Sequence, residues 1–389
     1  MPRFNPLVEG LSTPPIPLVQ SWGRAYDGSR GLLIDLSQAV PGYPPHPDLL
    51  AMLGEAASSR AYAGYGAIEG DDELRLAYAR HASGVYGAAI GAENIHVTAG
   101  CNQAFICSVM AIAGSGDTLL MTNPYYFNHE TTLAMLGIAT AHVNADAGDG
   151  FLPGVEAIAE AITPGVRALA IVSPNNPTGA VYPAALLKGI FELCRQKGIW
   201  LILDETYRDF LAPGREKPHD LFSAIGWQET LIGLYSFSKS FCIPGHRLGA
   251  ITAGHAVVEQ VAKVMDNVQI CPPRPVQGAV ARMIDSLAGW REENRREIGR
   301  RADALRSTMA DVNGWQLAAM GAYFAFVRHP YEDRSSEEVA EMLAREAGIV
   351  TLPGAFFGEG LERYLRFAFA NADSATISLL KDRLPAGPD

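Results

Sequence analysis

The chain has 389 residues, 48% of them hydrophobic, ample for a large core and more in keeping with two domains than with one. A net charge of −11 and a pI near 5.3 argue against non-specific binding to nucleic acid or an anionic membrane, which needs a basic surface. No stretch approaches the ~18 consecutive apolar residues of a spanning helix, and the mean hydropathy of +0.05 is that of a soluble protein.

Residues 1–47 read as an arm. It begins Met1-Pro2-Arg3-Phe4-Asn5-Pro6, with no apolar run of the kind a signal peptide carries. Pro14, Pro15 and Pro17 follow, Asp35-Leu36-Ser37 suggests a short strand, and Pro41 to Pro47 is again proline-rich. From 48 to 290 short apolar runs alternate with segments of helical period. The runs are Asn94–Thr98, Thr118–Thr122, Ala168–Ser173, Ile199–Leu203, Leu231–Tyr235 and Gly249–Ala253. Such alternation predicts an α/β fold: a three-layer α/β/α domain with a mostly parallel sheet. One long helix is predicted from Val276 to Ala310, leading into a smaller α+β domain at 291–389 to which the arm contributes. That domain should hold strands at Tyr323–Val327 and Tyr364–Phe369 and a helix at Ser336–Ala347. The charge run from Arg291 to Arg306 interleaves Glu at helical spacing and reads as a solvated face. The five cysteines are odd in number and lack Cys-x-x-Cys, so free thiols in a reducing, cytoplasmic setting are the expectation.

The chemistry-bearing residues fall just after apolar runs, where ligands of parallel sheets bind. Lys239 stands in Ser236-Phe237-Ser238-Lys239-Ser240-Phe241, with Arg247 eight residues later in Pro244-Gly245-His246-Arg247-Leu248-Gly249. Upstream lie Ser173-Pro174-Asn175-Asn176-Pro177-Thr178-Gly179 and Asp204-Glu205-Thr206-Tyr207. Taken singly, each has an ordinary reading: a surface lysine, a strand-end aspartate, a turn, an exposed ion pair. Taken in order, amide, acid, phenol, amine and guanidinium resemble the site of the fold-type I, pyridoxal-phosphate-dependent aminotransferases of class I and II.

That resemblance implies a set of roles. Lys239 would hold pyridoxal 5′-phosphate as a Schiff base, and its amine must lose a proton, which cationic neighbours and poor hydration favour. Asp204 would keep the pyridine nitrogen protonated, and Asn176 and Tyr207 would donate to the ring's phenolate oxygen. Ser236, Ser238 and Arg247 would hold the phosphate, together with the turn Gly100-Cys101-Asn102 that opens a predicted helix. Cys101 and Asn102 depart from the small or hydroxyl residues usual there. Tyr126, in Asn123-Pro124-Tyr125-Tyr126-Phe127, matches the aromatic that stacks on the ring. Arg366, in Tyr364-Leu365-Arg366-Phe367, matches the arginine that grips the substrate's α-carboxylate. Ala39 stands where the family often has a glycine beside that carboxylate, and Tyr65 matches a tyrosine that reaches the partner subunit's phosphate, implying a homodimer with shared sites. Lys239, Asp204 and Tyr207 would carry catalysis.

Other chemistries find little support. His129-Glu130-Thr131-Thr132-Leu133 lacks the second histidine of a zinc protease motif, and the nine histidines show no metal-ligand spacing, so no metal is expected. Gly64 to Gly70 misses the dinucleotide fingerprint by one residue. The expected activity is transfer of an amino group from an L-amino acid, neutral or aromatic, to a 2-oxo acid in a ping-pong cycle. A carbon–sulfur β-lyase or a decarboxylase on the same fold is the alternative, and a cofactor-sensing DNA-binding regulator is disfavoured by the short, proline-rich arm. An aspartate enzyme needs a second cation in the pocket. The segment Met265-Asp266-Asn267-Val268-Gln269-Ile270 offers none, although Arg274 lies close by.

Overall fold

The computed structural model describes residues 2–214 and 217–387. Its centre is a seven-stranded sheet in the order Ile95–Thr98, Gly249–Ala253, Leu231–Ser236, Trp200–Asp204, Val166–Val172, Thr118–Asn123, Ala139–Asn144. Every pairing is parallel except the two made by Gly249–Ala253, which runs antiparallel to both neighbours. Central strands are covered on both faces, so they read as continuous apolar runs rather than as alternation. Ile202 packs on one face with Phe105, Val109 and Val261. Its neighbours Leu201 and Leu203 pack on the other with Leu187, Ile190 and Phe191. The helices Cys101–Ile112 and His255–Val268 thus cover one face, and Asp72–Tyr86 and Ala184–Lys197 the other, giving the three layers predicted.

The edge strand Ala139–Asn144 escapes the sequence pattern because it is largely half-buried or exposed and carries Thr140, His142 and Asn144. The long helix predicted from Val276 to Ala310 is in fact two, Arg274–Met283 and Ala288–Ala310. The turn between them buries both Ile284 and Leu287, a spacing that helical periodicity reads as continuous. Arg291 stitches the corner by donating to the Ile284 carbonyl at 3.0 Å. The charge run on the second helix is paired at i,i+3 and i,i+4, through Glu292 with Arg295 and Arg296 and through Glu297 with Arg300. Arg301 is the exception to a solvated face. It is buried and donates to the Ala370 carbonyl at 2.6 Å.

A four-stranded antiparallel sheet follows, in the order Leu352–Pro353, Tyr364–Phe367, Phe324–Arg328, Gln316–Gly321. The helix predicted at Ser336–Ala347 opens with a Ser335/Glu338 capping box and widens to a π-helical turn over Leu343–Ala347. The arm contains two helices the sequence pattern did not show, Pro6–Glu9 and Pro15–Arg24. Their prolines stand in the first turn, where a missing N–H costs nothing. Beyond them Ile34–Asp35 pairs in parallel with Ile349–Val350, and Ala368 donates its N–H to the Leu36 carbonyl at 2.8 Å. These bonds bring Ser37 and Ala39 to the carboxyl end of the large sheet.

Candidate active site

Five strand ends of the large sheet converge on one cavity. Its walls are Cys101, Asn102, Tyr126, Val172, Asn176, Asp204, Thr206, Tyr207, Ser236, Ser238, Lys239, Pro244 and Arg247. All but Val172, Thr206 and Pro244 were singled out in the sequence. Of the remaining candidates, Gly100, Ala39 and Arg366 lie against this wall, whereas Tyr65 is 81% exposed and lies outside it.

Lys239 lies in the short helix Phe237–Ser240, capped by the Ser236 hydroxyl, which accepts the Ser238 N–H. Its Nζ donates to the Ala39 carbonyl at 2.6 Å, so the arm closes over the amine. Burial, then the charges of Arg366 and Arg247, push its pKa down to about 8. A primary amine so tuned is a far better nucleophile at neutral pH than a surface lysine.

Asp204 ends its strand fully inside the protein. Burial by itself would raise its carboxyl, but His129 and the Thr206 N–H outweigh it and hold the pKa below the usual value. His129 Nε2 lies 3.4 Å from Oδ2, and the Thr206 N–H donates to Oδ1 at 2.9 Å. The Cys101 thiol also donates to Oδ2, at 3.4 Å. His129 is a site residue the motif reading missed. It lies on the helix Phe127–Leu136, its ring stacked on Phe105 at 3.8 Å and 12°, and no local spacing links it to an acid 75 positions away.

In the Asn-Asn-Pro-Thr-Gly turn the two amides divide the work. Asn175 accepts from the Thr178 N–H and hydroxyl at 3.1 and 2.8 Å and fixes the turn. Asn176 is free to face the cavity, and its Oδ1 accepts from Arg366 Nη1 at 2.8 Å. Arg366 is buried between the rings of Phe324 and Phe357, 4.8 and 5.1 Å from their centroids. Its Nη2 donates to the Ser37 carbonyl, and its Nε has no partner among the described residues. A buried unpaired guanidinium N–H calls for an acceptor. Tyr126 and Tyr207 are both held protonated by burial, Tyr126 with its pKa pushed up to about 12, so each hydroxyl is a donor at neutral pH.

The wall formed by the turn into the helix Cys101–Ile112 and by Arg247 suits an anion. The helix Cys101–Ile112 opens on the cavity with no side-chain cap, leaving first-turn N–H groups available. Gly100 precedes it at φ +91, and a Cβ there would stand 2.8 Å from the Arg247 guanidinium carbon. Arg247 itself donates to the Ala99 and Pro244 carbonyls at 3.2 and 3.0 Å, which seats its guanidinium across that turn. An acidified amine, a buried carboxylate and an anion cradle therefore share one cavity. They fit an aldehyde-bearing heteroaromatic phosphate, which is what pyridoxal phosphate is.

Fold and site together define an enzyme of amine–carbonyl exchange. The chain belongs to the class I and II aminotransferases, whose family model matches residues 32–384. It is 27% identical over 367 residues to an aromatic aminotransferase of Arabidopsis thaliana, covering 91% of this chain and 89% of that one. It is 29% identical over 280 residues to aromatic-amino-acid aminotransferase 2 of Thermococcus litoralis, covering 72% of each. The fold matches an aspartate aminotransferase double mutant of Thermus thermophilus with a TM-score of 0.90, at 23% identity, over 98% of this chain and 99% of that one. The protein is an amino-acid aminotransferase with pyridoxal phosphate as cofactor, and the lyase and decarboxylase alternatives are not favoured. Among the described residues no helix is long and apolar enough to cross a membrane.

Proposed function

We propose that this aminotransferase takes a neutral or aromatic L-amino acid as donor, that it works as a cytoplasmic homodimer, and that Lys239 carries its cofactor. The observation that carries the reading is the acidified Lys239 amine, placed in one cavity with Asp204 and flanked by Arg366 and Arg247. The chain is read as a cofactor-binding domain at 48–290 and a smaller domain formed by 291–389 with the arm at 1–47.

When bound, pyridoxal phosphate supplies an imine-forming aldehyde and an electron sink for the pair released at the substrate's Cα. Asn102, Ser236, Ser238 and Arg247 hold its phosphate, with Gly100 and Cys101 offering backbone N–H groups. Tyr126 covers the ring, while Asn176 and Tyr207 donate to its hydroxyl oxygen. Asp204 keeps a proton on the ring nitrogen, its own charge maintained by His129 and Thr206. Arg366 receives the substrate carboxylate, with Ala39 narrowing the pocket beside it, and so orients Cα. The Lys239 amine, freed when the substrate's amine takes its place, would take up the Cα proton and give it back, acting as base and then as acid at Nζ. Tyr65, exposed on its own subunit, reaches the partner's phosphate.

The side-chain preference is supported by Arg274, the nearby cation that aspartate would need. Its Nε is paired with Asp71 at 3.0 Å, and its Nη1 donates to the Ala61 and Gly64 carbonyls at 3.0 and 3.2 Å. A guanidinium so tied is not a free receptor for a second carboxylate. The test of the whole reading is to load the protein, reduce it with borohydride and map the modified peptide, then screen amino acids for loss of the visible cofactor band. Label on a lysine other than Lys239, or no response to any amino acid, would overturn it.

A further inference from the structure

The segment from Asp204 to Asp209 divides its side chains between two sides. Asp204, Thr206 and Tyr207 line the cavity, whereas Glu205 and Arg208 are buried away from it. Glu205 Oε2 accepts from the Tyr86 hydroxyl at 2.5 Å. His219 Nε2 lies 3.1 Å from Oε1, close but not aligned for a hydrogen bond. The other ring nitrogen, His219 Nδ1, accepts the Leu221 N–H at 3.1 Å, so the neutral imidazole carries its proton on Nε2, facing the carboxylate. Arg208 Nη1 donates to the same Tyr86 hydroxyl at 2.7 Å. Its guanidinium stands 4.0 Å from the centroid of Tyr235, whose hydroxyl donates to Asp209 Oδ2 at 2.6 Å. Tyr235 immediately precedes Ser236, at the end of the strand that leads to Lys239.

Tyr86 thus accepts from Arg208 and donates to Glu205, a relay between two buried charges. Arg208 then leans on Tyr235 of the next strand. We propose that this network, centred on Tyr86, Glu205 and Arg208, is a positioning device. It fixes the strand end bearing Asp204 and Tyr207 against the strand end bearing Ser236 and Lys239. Buried charges are a poor source of stability, since apolar residues of similar volume serve as well or better. What its directed bonds add is geometry, because each fixes an angle as well as a distance; Arg208 Nε and Nη2 have no hydrogen-bond partner among the described residues, so the alignment rests on the Nη1–Tyr86–Glu205 bonds and on the Tyr235 ring. None of the three residues lines the cavity, so each acts through its neighbours. The inference rests on the reading that Asp204 and Lys239 act on the cofactor.

The test uses the cofactor-loaded protein with Tyr86→Phe, which removes one hydroxyl and breaks the relay. The expected result is a kcat reduced about tenfold, with KM for the amino acid within about threefold, as befits loss of alignment rather than of binding. The pH midpoint of the visible cofactor band should shift as well. Ile377→Val, a core change on the helix Ser374–Ser378, serves as the stability control and should leave kcat and the band unchanged while lowering Tm. Glu205→Gln combined with Tyr86→Phe should be no worse than the poorer single variant, because both break one link. If Tyr86→Phe does not fold, Tyr235→Phe carries the same test from the other strand. A variant that loses Tm yet keeps kcat and the band midpoint would overturn the proposal, as would strict additivity of the pair. Asp204→Asn separates the two readings. If it is silent, the assignment of the site fails; if it is severe while Tyr86→Phe is silent, only the network fails.

Discussion

Lys239 owes its reactivity to its surroundings. With a pKa of about 8, set first by burial and then by Arg366 and Arg247, roughly a tenth of the amine is neutral at pH 7 and most of it above pH 9. Attachment of the cofactor to the apoprotein should therefore quicken with rising pH, with its midpoint near 8, and level off above about pH 9. Removing a cationic neighbour favours the protonated amine, so Arg366→Met should move that midpoint upward; a midpoint that stays put or falls would show that the charge of Arg366 is not felt at Nζ. Asp204 presents the opposite case, a buried acid kept ionised by His129 and Thr206. Asp204→Asn keeps the shape and removes the charge. Loss of such a preorganised charge should slow Cα proton release by roughly a hundredfold or more while weakening cofactor binding far less. Stopped-flow measurement of the half-reaction decides it, and a rate within about tenfold of wild type would make the acid structural.

Elements set these residues in place, and the turn from Thr98 into the helix Cys101–Ile112 shows how little room they leave. Gly100 sits at φ +91 under the Arg247 guanidinium, and Gly249 packs against the same turn, its Cβ position 2.7 Å from the Gly100 carbonyl carbon. Gly100→Ala combines a backbone strained by about 1 kcal/mol or more with a displaced Arg247. Cofactor affinity, measured by fluorescence titration, should fall at least about tenfold; unchanged affinity would mean that the cradle is looser than this packing implies. That Gly100, Lys239 and the asparagine turn meet around one cavity was legible in the sequence because each stands just after a strand's apolar run. His129 was not, because its meeting with Asp204 depends on how a helix and a strand pack. The relay from Tyr86 to Glu205 was hidden for the same reason, its partners lying 119 positions apart. The corner at Ile284–Leu287 was read as helix because its apolar spacing mimics one, and the half-exposed edge strand lacked the apolar run that marked its neighbours.

On the scale of the whole molecule, the proposed shared site makes a complementation test possible. If Tyr65 serves the partner's site, Tyr65→Ala and Lys239→Ala subunits, each inactive alone, should recover up to about a quarter of wild-type activity after mixing and exchange, since half the dimers are hybrids with one intact site. No recovery would place Tyr65 elsewhere. Substrate choice is the other property that one site residue cannot settle. Arg366 answers the α-carboxylate, and its remaining unpaired atom, Nε, suits that one anion. A second carboxylate, as in aspartate, would need its own cation, and an unpaired buried charge costs several kcal/mol. Among the described residues the cavity wall offers, besides Arg366, Lys239 and Arg247, which the cofactor occupies in the proposed reading, and Arg274 is held by Asp71 and two carbonyls. Phenylalanine, methionine or alanine should therefore exceed aspartate in kcat/KM. Releasing Arg274 with Asp71→Asn should narrow the gap if its pairing is what withholds it. Should aspartate instead win by more than about tenfold, or ~1.4 kcal/mol of transition-state binding, a cation from the partner subunit must complete the pocket, and the preference for neutral side chains falls.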